Sequence, residues 1–222
     1  MRIKQFDTVE TLIERTANLL KKHFQVQHNA LHAVMLSGGQ TPLPVYAKIT
    51  ADPCPVSEKL HILLSDDRMV PRNSSESNLG NITDMLAALK IPETRTLRID
   101  TSTPITGAAD AYNRTISGFF ENGGKLTLAL LGLGIDGHTA SLFPGQDLQQ
   151  NSERFVIAVP RNAGPDRVSV TPRTISSAEK VLFIASSKEK QDIVRAIRED
   201  PDSVIAMQAT AENLDVELWY TE

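Results

Sequence analysis

Residues Leu126–Gly145, LTLALLGLGIDGHTASLFPG, decide the fold of this chain. Leu126–Leu131 is an apolar run of the kind that forms a buried strand. Glycines at 132, 134 and 137 follow at once, and glycine lets a backbone turn sharply and lie close to a ligand. Asp136 and His138 stand two residues apart on that turn. An imidazole, with an unperturbed pKa of about 6.5, suits proton transfer near neutrality. A flanking carboxylate fixes its tautomer and raises its basicity, so the pair is a candidate general base. A tight turn carrying a solvated acid and a capping histidine is the competing reading, and the loops elsewhere in the chain bear on the choice.

Outward from this stretch, short apolar runs alternate with amphipathic ones. Apolar residues at 9, 12, 13, 17, 19, 20 and 24 predict a helix over Thr8–Phe24. Leu31–Leu36 reads as a strand, followed by a glycine turn and a helix near Leu43–Ile49. Leu60–Leu64 is another strand; a polar loop and a helix over Ser77–Leu89 come next. Ile105–Phe120 reads as a helix leading into the Leu126–Leu131 strand. Phe155–Val159 and Val181–Ala185 have strand character, Lys188–Arg198 is helical and stops near Pro201, and Leu214–Tyr220 is a last strand. This alternation predicts an α/β fold, a largely parallel sheet with helices on both faces. The 160–173 segment is an irregular excursion or, alternatively, carries a short antiparallel strand at Arg167–Thr171. No repeat or low-complexity segment interrupts the chain.

The chain has 222 residues, 41% of them hydrophobic and 23% charged, which fits one domain spanning 1–222. A net charge of −4 without a basic run argues against nucleic acid and anionic membrane as partners. The N-terminus lacks the pattern of a signal peptide, and no apolar stretch approaches the roughly 20 residues that span a bilayer. A single cysteine, Cys54, excludes an internal disulfide and a multi-cysteine zinc site, so a reduced, cytoplasmic protein is expected. Cys54 has no recognisable base near it in sequence. His23, His28, His32 and His61 show no partner spacing and are read as structural or surface residues. Trp219 and Tyr220 are expected to help close the core.

Ligands of such sheets bind at the carboxyl ends of the strands. Three loops leave an apolar run in the same way: Ser37–Pro42, Ser65–Arg68 and Gly132–Thr139. Parallel strands would bring them to one edge. Ser37, Gly38, Gly39 and Thr41 precede a helix that Pro42 opens, and free N–H groups there suit a phosphate; a plain helix cap is the alternative. Asp66, Asp67 and Arg68 offer an arginine fork for an oxyanion, two carboxylates for a metal, or an ordinary surface cluster. No further carboxylate or histidine stands at a metal-ligand spacing, so no metal is expected. The PRNSSESN segment, Pro71–Asn78, holds groups that bond sugar hydroxyls and is equally an ordinary polar loop. Arg161, Arg167 and Arg173 lie in or beside the 160–173 segment, as anion ligands or as solvated charges.

Two other readings fail. Leu36–Gln40 reads LSGGQ, the signature peptide of ABC-type ATPases, and Gly132–Thr139 has P-loop spacing. His138 stands where a P-loop needs lysine, and the order of the two motifs is reversed. No G-x-S-x-G elbow exists for a serine hydrolase.

Taken together, LSGGQTP at 36–42, SDDRMVPRNSSESNLG at 65–80, LGLGIDGHTASLFPG at 131–145 and, more weakly, DRVSVTPRTISSA at 166–178 resemble the 6-phosphogluconolactonase family in order and spacing. The resemblance spans nearly the whole chain, and the third block is its specific part. It implies the Rossmann-like fold shared with glucosamine-6-phosphate deaminases and ribose-5-phosphate isomerases. Those deaminases continue from a similar G-x-D-G-H turn as I-A-F-N-E-P, which supplies a glutamate; here the continuation is Thr139–Pro144, without an acid. Several positions depart from the family pattern. Ser65 and Asp67 replace the Gly and Glu of G-D-E-R, and Ile135 replaces a Pro. Arg161 falls near a usual Lys, Ser176 near a usual Asn, Ser187 on a usual Gly, and Thr221 near a late carboxylate, while Lys190 matches the late Lys.

The resemblance implies hydrolysis of 6-phospho-D-glucono-1,5-lactone without cofactor or metal, by a monomer or small homo-oligomer. His138 would activate water and Asp136 would orient it. Arg68, held by Asp66, would stabilise the substrate's anionic groups or the oxyanion. Ser37, Gly38, Gly39, Thr41, Gly137 and Lys190, with Arg161 or Arg167, would bind the substrate and its phosphate. A sugar-phosphate deaminase or isomerase on the same fold, or a non-catalytic sugar-phosphate sensor, are the alternatives.

Overall fold

The apolar runs become central strands because each is apolar at successive positions, not alternate ones, and so has to be covered on both faces. The computed structural model describes residues 1–150, 152–186 and 188–221, so Ser187 lies outside the described residues. In chain order the elements are β1 (Arg2–Gln5), α1 (Val9–Gln25), β2 (His32–Leu36), α2 (Leu43–Ala51), β3 (Leu60–Leu64), β4 (Asp66–Arg68), α3 (Asn78–Ala88), β5 (Thr96–Leu97) and α4 (Ile105–Glu121). Then come β6 (Lys125–Gly132), β7 (Val156–Val159), β8 (Arg167–Val170), α5 (Pro172–Ser176), β9 (Val181–Ala185), α6 (Gln191–Glu199), α7 (Ile205–Gln208) and β10 (Val216–Tyr220).

Seven strands form one sheet in the order β1-β10-β9-β6-β2-β3-β5, every neighbouring pair parallel. One face packs on α1, α2 and α3 through Phe24, Ile49 and Ile82; the other packs on α4 and α6 through Ile116 and Ile197. The predicted α/β architecture with helices on both faces is therefore present. From β2 the chain builds β3 and β5 on one side and β6, β9 and β10 on the other. A crevice opens beyond the carboxyl ends of β2 and β6, where such folds bind ligands.

β6 contains a bulge. Ala33 pairs with Leu126 but Val34 pairs with Leu128, so Thr127 is the extra residue, and its hydroxyl donates to the Ala33 carbonyl at 3.2 Å. The bulge resets the alternation, sending Leu128 and Leu130 to the α1–α3 side and Ala129 and Leu131 to the other.

One expectation is refined and two are corrected. The strand expected at Phe155–Val159 forms over Val156–Val159, as the edge of a second, antiparallel sheet of order β4-β8-β7. Ser65–Arg68 is not a loop, since Asp66–Arg68 pairs with Arg167–Ser169 as strand β4. Its pairing partner, not its own polar sequence, makes it a strand. The last strand begins at Val216, leaving Leu214 fully exposed. The antiparallel alternative for the 160–173 segment is the one adopted, over Arg167–Val170. Ser65 joins the two sheets, its N–H donating to Leu36 O at 3.0 Å and its carbonyl accepting from Val170 N at 2.8 Å. Lys188–Lys190 is a turn of 3-10 helix ahead of α6. Tyr220 is buried, while Trp219 is half-buried against Phe6 with ring centroids 5.4 Å apart. Among the described residues no helix is long and apolar enough to cross a membrane.

His32, at the start of β2, is wholly buried, and neither ring nitrogen has a hydrogen-bond partner among the described residues. Its ring lies 4.4 Å from that of His28. Burial first, and then the nearby His28, lower its pKa to about 4. The unfolded chain therefore takes the proton first. The stability held in the neutral ring is complete above pH ~6.5 and drains as the pH falls toward 4, by up to roughly 3 kcal/mol. Denaturant midpoints measured at pH 7 and pH 4.5 should separate less in His32→Leu than in the parent chain. Equal separations would show that the acid sensitivity lies elsewhere.

Candidate active site

Four strand ends build the site. Tyr46 of α2 donates its hydroxyl to Ser37 O at 2.6 Å and so holds the end of β2. Tyr112 of α4 donates to Leu64 O at 2.7 Å and accepts from Leu64 N at 3.0 Å, holding the end of β3. β6 and β9 supply Gly132 and Ser186. Between these ends lies a cavity of about 440 Å³, lined by the loop after β2, by β4, by the glycine-rich turn and by Lys190.

On the glycine-rich turn, His138 Nδ1 and Asp136 Oδ1 are 2.5 Å apart, and the same oxygen accepts His138 N–H at 3.1 Å. Burial alone would raise the Asp136 carboxyl; the backbone and imidazole donors of His138 outweigh it and hold the group below its ordinary value. An ionised Asp136 takes Nδ1–H and leaves Nε2 as the free imidazole nitrogen. Gly134 is required by space: a Cβ there would lie 2.1 Å from His138 Nδ1 and 2.5 Å from Asp136 Oδ1. Gly137 is required by backbone, with φ +84° and a Cβ position 2.9 Å from Val204 Cγ1. Phe143 lies beside the imidazole, with ring centroids 4.9 Å apart.

Also lining the cavity, Arg68 and Arg167 are directly paired between β4 and β8. Like charges so placed repel, and both Nε groups are buried without a partner among the described residues. Burial, and then Arg68, pull the Arg167 guanidinium below its ordinary value. Arg68 Nη1 donates to Asn78 Oδ1 at 2.7 Å and to Glu76 O at 3.0 Å. Two desolvated cations with spare donors make a receptor for an anion.

Asp66 is nearly fully buried and accepts from Ser65 Oγ at 2.9 Å, Asn78 Nδ2 at 3.0 Å and Ser141 Oγ at 2.7 Å. The expected direct hold of Asp66 on Arg68 is therefore corrected: Asn78 stands between them. Asp67 is fully buried and caps α3, accepting from Asn78 N at 2.7 Å and Leu79 N at 3.1 Å. Burial raises its pKa to about 6 against the pull of those N–H groups.

The loop after β2 is the second anion candidate. Among the described residues none of the N–H groups of Gly38–Thr41 donates to another protein atom. The expected contribution of the helix start is smaller than foreseen, because Pro42 and Pro44 remove two N–H groups from the first turn of α2. Lys190 compensates from β9's side of the site, donating to Thr41 Oγ1 at 2.8 Å, with burial lowering its pKa. Ser37 Oγ lies 2.9 Å from Ser65 Oγ and accepts Gly132 N at 3.4 Å, so it ties the strand ends together.

Of the sequence-predicted residues, Ser37, Gly39, Thr41, Asp66, Arg68, His138, Arg167 and Lys190 line the cavity. Asp136, Gly137 and Gly38 do not line it; a Cβ at Gly38 would overlap Asn78 Cα at 2.4 Å. Arg161 is not brought to the cavity. Its guanidinium lies over the Phe143 ring at 3.9 Å. Glu189, which also lines the cavity, was missed, and Asn78, which lines it too, was read only as part of the polar Pro71–Asn78 segment. Asn78 carried one signal, its position at a predicted helix start in the block after Asp66–Arg68. Among the described residues no three His, Cys, Asp or Glu side chains gather as a metal-ligand set. Cys54 is remote from this site, and burial raises its thiol pKa.

The profile of the family described as glucosamine-6-phosphate isomerases/6-phosphogluconolactonase matches residues 4–216. A 6-phosphogluconolactonase of Thermotoga maritima is 35% identical over 196 residues, 86% of this chain and 85% of that one. The crystal structure of the T. maritima 6-phosphogluconolactonase superposes with a TM-score of 0.78 at 30% identity, over 99% of this chain and 98% of that one. A monomeric glucosamine-6-phosphate deaminase superposes with a TM-score of 0.82 over 100% and 98% of the two chains; at 16% identity it shares the fold alone. The likeness of fold is thus common to both activities, while the likeness of sequence runs the length of the chain, and the chain belongs to the glucosamine-6-phosphate isomerase/6-phosphogluconolactonase family.

Proposed function

We propose that residues 1–222 act as a single α/β domain hydrolysing 6-phospho-D-glucono-1,5-lactone to 6-phospho-D-gluconate, in the oxidative pentose phosphate pathway and in the cytoplasm. The observation that carries this reading is that His138, held by Asp136, lines the same cavity as the directly paired Arg68 and Arg167. Relatives named 6-phosphogluconolactonase support it.

In this reading a water gives its proton to His138 Nε2 while its oxygen attacks the C1 carbonyl. Arg68 and Arg167 stabilise the tetrahedral oxyanion that forms. Collapse breaks the bond from C1 to the ring oxygen, which takes the proton back from Nε2–H and leaves as the C5 hydroxyl. The carboxylic acid formed at C1 then ionises. The N–H groups of Gly38–Thr41, with Lys190, grip the 6-phosphate. The mechanism takes no metal.

The deaminase reading is weaker for a local reason. The glutamate of the I-A-F-N-E-P continuation falls on Phe143, whose ring packs against His138 and under Arg161. No carboxylate is delivered from that position.

Chelator-treated protein should accelerate hydrolysis of the lactone above its spontaneous rate. Activity lost on chelation and restored by one divalent metal would overturn the metal-free mechanism, and comparable ammonia release from glucosamine-6-phosphate would promote the deaminase. Binding of 6-phosphogluconate without any turnover would leave a sensor.

His138→Asn should lower kcat/KM by roughly 10²–10⁴, the usual contribution of a positioned base, while 6-phosphogluconate still binds. Turnover within a few-fold of the parent chain would move the base elsewhere. Gly134→Ala should do nearly as much damage without touching a reacting group, because its Cβ takes the space of the Asp136–His138 bond. An unchanged rate in that variant would mean the bond is not used.

Arg68→Ala should cost roughly 10²–10³ in rate, and Arg68→Lys should recover part of it, since an ammonium lacks the guanidinium fork. Wild-type kcat/KM in Arg68→Ala would reduce the arginine pair to a surface cluster.

A further inference from the structure

We propose that Asn78 is a positioning residue that keeps Arg68 out of an ion pair and available to a ligand by standing as a neutral bridge between it and Asp66. This rests on the lactonase reading above. The first observation is the polarity of the amide. Its oxygen accepts from Arg68 Nη1 at 2.7 Å, and its nitrogen donates to Asp66 Oδ1 at 3.0 Å and to Asp66 O at 2.8 Å. One side chain therefore serves a cation on one side and a carboxylate on the other, which a carboxylate or an ammonium could not do.

The second observation is what Asp66 and Arg68 do not do. They are two residues apart on one strand, yet among the described residues they form no salt bridge. Asp66 is satisfied by neutral donors, Ser65, Asn78 and Ser141. Arg68 Nη1 is bonded to neutral acceptors, Asn78 and the Glu76 carbonyl, while its Nε has no partner among the described residues. An ion pair between them would spend the arginine's charge inside the protein. With the amide interposed, Arg68 faces the cavity beside Arg167, still seeking an anion.

The third observation is rigidity. Asn78 is buried, and its N–H is fixed by Asp67 Oδ1 at 2.7 Å. Gly38 is packed so close that a Cβ there would overlap Asn78. The amide therefore has one placement, and it transmits that placement to the guanidinium.

The test is a double-mutant cycle with two readouts, kcat/KM for the lactone and calorimetric affinity for 6-phosphogluconate. Asn78→Asp puts a carboxylate on Arg68 and should weaken 6-phosphogluconate binding by roughly 10- to 100-fold, the worth of a charged hydrogen bond converted to affinity. The same change in an Arg68→Ala background should cost nothing further. Losses that multiply in the double variant, or an Asn78→Asp protein that binds with parental affinity, would overturn the proposal. If Asn78→Asp fails to fold, Asn78→Ala replaces it. That variant should also weaken binding, with the effect again absent once Arg68 is gone, and multiplying losses or parental affinity would count against the proposal equally. Parental kcat/KM in Arg68→Ala alone would instead sink the role given to Arg68 in the lactonase reading. An impaired Arg68→Ala beside an unaffected Asn78 variant would sink only the present inference.

Discussion

A carboxylate taken out of water has to be given donors, and Asp66 is the carboxylate around which this site is assembled. Its donors come from three parts of the chain: Ser65 at the junction of the two sheets, Asn78 at the start of α3, and Ser141 beyond the glycine-rich turn. Ser65 also meets Ser37 at the end of β2, and Ser141 N–H is held by Ser169 Oγ of β8 at 3.0 Å. The loops after β2, β3 and β6 are thereby tied to one buried group. The small antiparallel sheet exists in this place because the chain, on leaving β3 at Ser65, continues as β4 and meets β8.

This arrangement separates tasks that would interfere if mixed. Asp136, partly exposed, is free to serve His138. Asp66 and Asp67, buried in β4, serve the scaffold: one ties loops, the other caps α3, where the helix dipole favours negative charge. Among the described residues none of the cavity's cations forms a salt bridge, although Asp66 and Glu76 act on Arg167 and Glu189 on Lys190. Arg68 and Arg167 are opposed across β4 and β8, an arrangement unfavourable by itself that an anion would relieve. Lys190 is half-buried near the loop after β2, where it donates to Thr41 Oγ1.

The fold is set up to keep that geometry stiff. Two buried tyrosines from helices on opposite faces, Tyr46 and Tyr112, hold the carbonyls at the ends of β2 and β3. The bulge at Thr127 places Leu131 and Gly132 so that the glycine-rich turn starts at the crevice. Gly134 and Gly137 then allow the turn to fold back on itself, with Gly134 N–H accepted by His138 O at 2.8 Å.

Much of this was legible in the residues. The uninterrupted apolar runs determined the central strands and their burial on two faces, because period and length alone specify a strand that must be covered. The glycine spacing around Asp136 and His138 determined the turn, because a side chain at Gly134 or Gly137 has no room. The parallel strands determined that the segments leaving β2, β3 and β6 share an edge. What the sequence left open were relations between residues distant along the chain. Asp66–Arg68 is a polar tripeptide whose strand character comes from pairing with β8 a hundred residues later. The Arg68–Arg167 opposition, the interposition of Asn78 and the removal of Arg161 onto Phe143 are consequences of that same pairing and of packing against α3. Local pattern specifies which face of a strand or helix is apolar; which charges end up facing one another is decided by register between strands, and register is settled only when the whole core closes.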